Sequence, residues 1–200
     1  MTEARIGRLL GACLHQAISE CLPQRLDFYE YWLNSQDLRD DRIDLAAMTA
    51  VTGFLRTEGP AYAQVMARAG SLAAEWTVAS LPAVRRRAIE WLPRGLRARA
   101  ALRVTAGIVR AAGSTTRMST RIRRQSASVE VRSSVFCAVR ERQPAPLCGF
   151  YLAAALETLH RFDIAADGHI ERCHAVGAAT CLVMIDLAGS AVAGAPAMAA

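Results

Sequence analysis

The chain contains no lysine, and its 24 residues of the lysine and arginine class are all arginine. A Walker-type phosphate loop needs a lysine after its glycines, and imine formation with a carbonyl substrate needs a lysine amine. Both are therefore excluded. The sequence also lacks a Gly-x-Ser-x-Gly elbow and the recurring carboxylate pairs of a di-iron helix bundle. These absences argue against an enzyme, although they do not exclude every catalytic class.

Long apolar runs are also missing, although 52% of the residues are hydrophobic. No stretch of about 18 uninterrupted apolar residues occurs, so no membrane-spanning helix is expected. Charged residues at Glu3, Arg5 and Arg8 interrupt the first segment, which argues against a secretory signal. Six cysteines without an export signal favour reduced thiols over disulfides. We expect a cytoplasmic protein.

The net charge of +6 is unevenly distributed along the chain. Between Arg85 and Arg124 lie twelve arginines against the single acid Glu90, whereas Asp27 to Asp44 carries six acids and two arginines. A basic segment can bind nucleic acid or anionic lipid, or it can be a solvated face neutralised by acidic residues. No aromatic residues interleave these arginines for base stacking. We favour protein contacts over specific nucleic-acid binding.

The hydrophobic pattern predicts helices first and an antiparallel sheet later, which is an α+β fold. The helical segments end at glycine or proline, and the strands alternate apolar and polar residues. Helices are predicted at residues 6–21, 45–56, 60–80, 82–92, 96–112 and 147–160, and strands near 118–122, 129–131, 162–165, 170–174 and 181–187. A turn at 125–128 would join the first two strands.

Three cysteines in this last part are candidate metal ligands. Cys173 and Cys181 flank Gly177 between two strand-like runs, so a hairpin would bring their sulfurs together. Cys148 lies at the start of a predicted helix, where the helix dipole favours a thiolate. His169 and His174 are close enough in sequence to join as ligands. The alternative is that the cysteines are small buried apolar side chains.

Four segments occur in one order along the chain: Ala67–Leu72, Val129–Phe136, Pro146–Tyr151 and the Cys173 to Cys181 hairpin. This order resembles the 4-vinyl reductase domain family, which includes bacterial bacteriochlorophyll-biosynthesis accessory proteins and phenol-sensor domains. The resemblance covers about residues 50–187 and implies a fold like that of TRAPP trafficking subunits.

The resemblance implies a zinc ion held by Cys148, Cys173, Cys181 and a glutamate. The family's glutamate usually lies three residues before the first hairpin cysteine, where this chain has Ile170. Glu171 is two residues before it and is the expected fourth ligand, with His169 or His174 as replacements.

The resemblance also implies an apolar cavity for a small aromatic or tetrapyrrole-like molecule. Its expected lining consists of Trp76, Trp91, Phe136, Phe150 and Tyr151, each of which could equally be ordinary core. The leading hypothesis is therefore a zinc-containing accessory protein of a biosynthetic pathway that binds a small hydrophobic ligand. A homodimeric protein–protein adaptor is the alternative, and a reductase is a weaker one.

The domain organisation expected from these patterns has three parts. Residues 1–49 are predicted to be a helical extension that docks on the main domain or a partner. Residues 50–187 are the expected ligand-binding domain, and residues 188–200 form an Ala- and Gly-rich tail.

Overall fold

The computed structural model describes residues 7–33, 45–113, 115–123, 125–139 and 141–187. These ranges form an α+β fold, as the sequence predicts, with seven α-helices and a four-stranded antiparallel sheet. The helices are α1 Arg8–Cys21, α2 Leu26–Glu30, α3 Leu45–Thr57, α4 Pro60–Ala79, α5 Ala83–Glu90, α6 Arg94–Ala112 and α7 Gly149–His160. The strands are β1 Arg117–Arg123, β2 Ser126–Arg132, β3 Asp167–Arg172 and β4 Cys181–Asp186.

Proline residues mark three of the helix starts. Pro60 is the first residue of α4, where its missing N–H costs nothing because the first amides of a helix have no intrahelical partner. Pro82 and Pro93 directly precede α5 and α6 in extended conformation. Residues 82–96, which comprise α5, the short loop after it and the first residues of α6, are here called the α5–α6 segment.

The sheet has the strand order β1-β2-β4-β3, and every neighbouring pair is antiparallel. Alternation along β2 places Ala127, Val129 and Val131 on the buried face. Val183 and Ile185 of β4 lie on the same buried face, because Val129 pairs with Val183 and Ala127 with Ile185. Helices α6 and α7 pack against the sheet, so the described core lies between the helices and one sheet face.

Helices α4 and α7 pack unusually closely, because a glycine lies at their contact. A Cβ atom on Gly70 would lie 2.3 Å from the carbonyl oxygen of Phe150. On the other side of α4 packs α1, whose residues Leu14 and Ile18 are completely buried in the same core. The domain boundary between residues 49 and 50 stays a prediction.

The structure differs from the predicted elements at three places after residue 146. The strand predicted at 170–174 is β3, Asp167–Arg172, and His174 begins a 3-10 turn. The strand predicted at 162–165 is instead a turn, since the amides of Phe162 and Ile164 both bond to the carbonyl of Leu159 in the last turn of α7. Helix α7 begins at Gly149, which makes Cys148 its N-cap residue. The tail 188–200 lies outside the described residues. None of the described helices has the length and apolarity needed to cross a membrane.

Candidate metal centre

Four cysteines from four different segments meet beneath the sheet, each at the end of an element. Cys137 closes the 3-10 turn Val135–Cys137, and Cys148 is the N-cap of α7. Cys173 follows β3, and Cys181 is the first residue of β4. All four are free thiols with at most 2% of their surface exposed. We call this group the cysteine cluster.

The sulfur positions of the cysteine cluster suit one shared metal ion. All four Sγ atoms lie within 4.8 Å of one another, and the Sγ of Cys137 is 3.5 Å from those of Cys173 and Cys181. Four sulfurs at ~2.3 Å around a tetrahedral zinc would be about 3.8 Å apart. A disulfide needs about 2.05 Å. The cluster could therefore hold a metal ion, and the sulfurs are too far apart to be bonded to each other.

The turn between β3 and β4 holds two of these cysteines together. Gly177 adopts a left-handed conformation with φ of 110°, which a glycine tolerates without strain. A side chain there would also collide with the guanidinium of Arg142, about 2.9 Å from the added carbon. The amides of Val176 and Ala178 both bond to the carbonyl of Cys173 and fix the turn. The glycine turn expected from the sequence is thus present.

Backbone amides point at two of the sulfurs. The N–H of Leu147 donates to the Sγ of Cys173, and the N–H of His174 donates to the Sγ of Cys181, each over 3.4 Å. The Tyr62 hydroxyl in α4 donates to the carbonyl of Leu147 over 3.0 Å and so anchors the residue next to Cys148. Burial raises the pKa of Tyr62, which keeps this donor protonated. Such second contacts orient metal ligands and stabilise negative charge on sulfur.

Hydrogen bonds among the four thiols shift their pKa values in opposite directions. Hydrogen bonds from Cys137, and then from Cys148 and Cys181, lower the pKa of Cys173. Hydrogen bonding to Cys137 likewise lowers the pKa of Cys181, whereas the pKa of Cys148 is raised because its proton is shared first with Cys137. A divalent cation would replace the thiol protons, since only the thiolate is a good ligand.

The other candidate ligands named from the sequence lie at the surface. Glu171 falls at a register irregularity between Ile170 and Arg172, and its carboxylate is 3.2 Å from Nε2 of the exposed His169. The ring of His174 donates from Nδ1 to the carbonyl of Ala178 over 2.8 Å. Three predicted ligands, Cys148, Cys173 and Cys181, come together, and the fourth sulfur beside them belongs to Cys137.

Cys137 was not among the residues assigned from the sequence. It lies in a short turn after β2, so its neighbours carry no hairpin or helix-start pattern. The available signal was the number of cysteines: four of the six occur within residues 137–181, in two pairs. The glutamate implied by the family resemblance occupied the fourth position in the expected ligand set and left Cys137 without a role.

An aromatic cluster lies directly beside the clustered cysteines in sequence. Phe136, Phe150 and Tyr151 are completely buried, with ring centroids 5.1 to 5.6 Å apart. The Tyr151 hydroxyl donates to Oγ of Ser134 over 3.1 Å. By contrast, Trp76 is 38% exposed and Trp91 is 88% exposed. Three of the five expected lining residues therefore form one interior group, and the two tryptophans lie at the surface.

Three cavities lie at the sheet and its margins, apart from these aromatic rings. The largest, about 1160 Å³, is an open depression at the end of the sheet beside Arg123, His169 and Met184. A second of about 390 Å³ lies on the outer sheet face between Arg121 and Arg172. A third of about 180 Å³ lies next to Ile122. None of these three is lined by Phe136, Phe150 or Tyr151.

Comparison with known proteins gives similarity to solved structures only. No family model matches the chain, and no curated protein matches it. Among solved structures, the chain is similar to the phenol-responsive sensory domain of the transcription activator PoxR, crystallised with phenol. The match covers 72% of this chain and 74% of that one, with 16% identity and a TM-score of 0.47. At this identity and TM-score, the similarity does not indicate a ligand for this chain.

Proposed function

We propose that the protein is a non-catalytic accessory domain that binds a small hydrophobic molecule and contains one structural zinc ion. The observation that carries the zinc assignment is the cysteine cluster, four buried thiols within 4.8 Å of one another. A set of four thiolates favours zinc or iron in tetrahedral geometry. Four protein ligands fill that geometry completely, so no position is left for a metal-bound water and hydrolysis is not expected.

The zinc ion would connect segments that are otherwise joined only by loops. It would tie the turn after β2, the start of α7 and the β3–β4 hairpin to one point. Four thiolates and a divalent cation carry a net charge of about −2, which burial disfavours unless donors surround the sulfurs. The amides of Leu147 and His174 supply two such donors.

The aromatic cluster supports a hydrophobic ligand at this end of the fold. Phe136 precedes the ligand Cys137, and Phe150 and Tyr151 follow the ligand Cys148 by two and three positions. Ligand sites are commonly apolar with a few placed polar groups, and the buried hydroxyl pair of Tyr151 and Ser134 is such a group. In this proposal an aromatic molecule enters among the three rings, which change rotamer to admit it.

Metal content and ligand binding can be tested separately on the full chain. We expect about one zinc per chain by elemental analysis, and X-ray absorption should show four sulfurs at ~2.3 Å. Protein without stoichiometric metal would overturn the zinc assignment. Iron in place of zinc would support a metal centre in the cysteine cluster and would change the identity of the metal.

For the ligand, we expect simple phenols or a free-base porphyrin to raise the melting temperature, since a ligand at 100 times its Kd stabilises the folded state by about 2.7 kcal/mol. Tyr151→Phe should reduce that shift because it removes the buried hydroxyl. Tyr62→Phe is the matched control, as its hydroxyl bonds to the Leu147 carbonyl and not into the aromatic cluster. Equal shifts in both variants would contradict a site at Tyr151.

A second candidate function is a homodimeric adaptor, which a surface aromatic patch on α2 and α3 favours. Phe28 contacts Phe54, and Trp32 lies between Tyr31 and Phe54 in the ring stack. Tyr31 is 78% exposed, and Phe28 and Phe54 are 40% exposed. Contiguous exposed aromatic surface is typical of protein interfaces. If this patch mediates self-association, Tyr31→Ser with Phe54→Ser should convert a dimer to a monomer in sedimentation experiments.

A further inference from the structure

The α5–α6 segment is weakly packed against the rest of the fold. Within α5, only Ile89 is buried, and Val84 and Trp91 are 82% and 88% exposed. Leu96, in the first turn of α6, is 50% exposed. An indole with almost its whole surface in water is unusual in a protein, because burying it is strongly favourable. Its exposure indicates a surface that another phase or molecule covers.

The apolar and basic side chains of α5 are arranged in order around the helix. At about 100° per residue, Val84, Ala88 and Trp91 fall within an arc of about 60°. Arg87 lies about 60° from Val84 on one side, and Arg85 about 100° on the other. Trp91 continues the helical backbone, with φ of −78° and ψ of −10°. The result is a narrow apolar stripe with an arginine on each flank.

The charged side chains that flank the apolar stripe are all basic. Glu90, the one acid of the helix, lies on the opposite side, and its carboxylate is 3.8 Å from Arg86. Within the described parts of the chain, Arg85 and Arg87 form no ion pair. Arg94 donates to the carbonyl of Leu187, so it serves the fold. Of the residues that the structure describes, Arg85 and Arg87 therefore flank the stripe as cations without an ion pair, available to an anionic surface.

We propose that the α5–α6 segment docks on an anionic lipid surface. The side chains of Val84 and Trp91 would enter the interface between headgroups and acyl chains, and Arg85 and Arg87 would extend to the phosphates. The apolar stripe of α5 and its C-cap Trp91 is too narrow for a stable protein interface, which buries about 800 Å² per partner. It is sufficient for the shallow insertion of an interfacial helix. This docking does not depend on the zinc ion or on the hydrophobic ligand.

The proposal can be tested by cosedimentation of the full chain with vesicles of phosphatidylcholine, with and without phosphatidylglycerol. We expect binding only to the anionic vesicles. Arg85→Gln with Arg87→Gln should weaken it about 30-fold, because each arginine near an anionic surface contributes about a factor of five. Val84→Ser with Trp91→Ser should weaken it at least as much. All four side chains are exposed, so the variants are expected to fold.

The matched control removes two positive charges from another exposed surface. Arg117→Gln with Arg121→Gln on β1 changes the net charge equally, and it should alter binding by less than about threefold if docking is local. Trp91→Phe should retain binding but abolish the lipid-induced blue shift of tryptophan emission, which locates the inserted ring. Equal losses from both arginine pairs, or no binding to anionic vesicles, would overturn the proposal. So would a lipid-free dimer that Val84→Ser with Trp91→Ser dissociates, since the occupant would then be a second copy.

Discussion

Two sets of cysteines in this chain have opposite surroundings. Cys13 and Cys21 lie in α1, where Cys13 is buried among apolar side chains and Cys21 is half-buried near the helix end. The four thiols of the cysteine cluster are also buried, but they contact each other, and Cys173 and Cys181 also accept backbone N–H groups. Burial therefore does not distinguish Cys13 from the clustered thiols. Contact with other sulfurs and with free backbone N–H groups does.

The physical reason lies in the backbone hydrogen bonds. In the middle of α1, amide groups are used by the helix itself, so no donor can turn to the sulfur of Cys13. At the end of a strand or before a helix the amides are free. Burial raises the pKa of Cys13 to about 12, with a smaller contribution from the carboxylate of Glu75. Contacts with the other thiols lower the pKa of Cys173.

The largest expected effect comes from removing one thiol of the cysteine cluster. Cys173→Ser should abolish stoichiometric zinc binding and lower the free energy of unfolding by more than about 4 kcal/mol, because loss of a metal is among the few changes of this size. Zinc content and urea denaturation measure the two effects. Cys21→Ser is the control, and it should retain the metal and change stability by less than about 0.5 kcal/mol.

If Cys173→Ser and Cys21→Ser behave alike, the distinction between the two sets of cysteines fails. A chelator provides an independent check on the wild-type chain. It should destabilise the wild type to the level of Cys173→Ser and should leave Cys173→Ser itself unchanged. A chelator effect on the variant would show that metal binds elsewhere.

An intermediate effect is expected at Tyr62, which supports the cluster without being a ligand. Tyr62→Phe removes the hydrogen bond to the Leu147 carbonyl, whose own amide donates to Cys173. Loss of such outer contacts costs about 10- to 100-fold in metal affinity and, for stability, about 1 kcal/mol. Competition with a chromophoric chelator measures the affinity. Tyr151→Phe loses a bond to Ser134 instead and should leave zinc affinity within about twofold.

Sequence patterns predicted most of the helices and strands, because their boundaries carry local signals. Pro60, Pro82 and Pro93 mark helix starts, and alternation marks β1 and β2. The turn at residues 162–164 was predicted as a strand because its apolar residues, Phe162 and Ile164, face the core although the backbone is capping α7. Periodicity alone cannot tell whether an apolar residue belongs to a strand or to a turn that packs against the core.

The candidate site was less predictable, since it depends on contacts between distant segments. The hairpin around Gly177 is local and could be found. Cys137 contacts Cys173, which is 36 residues away in sequence, and no sequence pattern near Cys137 predicts this contact. Surface exposure of Trp76 and Trp91 also depends on the tertiary arrangement, because an aromatic residue on a helix is equally compatible with core. Three of the four clustered thiols were nevertheless identified from spacing and the family resemblance.

The smallest expected effect concerns the two α1 cysteines themselves. With zinc bound at about pH 8, iodoacetamide should modify Cys21 first, because alkylation needs an accessible thiolate and Cys21 alone of the six is partly exposed. Cys13 should react only on unfolding, since its raised pKa keeps its thiol protonated at this pH. The cluster cysteines should become reactive after chelation, ahead of Cys13, because the contacts that lower the pKa of Cys173 favour its thiolate, whereas burial disfavours that of Cys13. Mass spectrometry of peptides labelled over time gives the order. Labelling of Cys13 before Cys173 in chelated protein would contradict the view that shared protons, and not burial alone, distinguish the two sets.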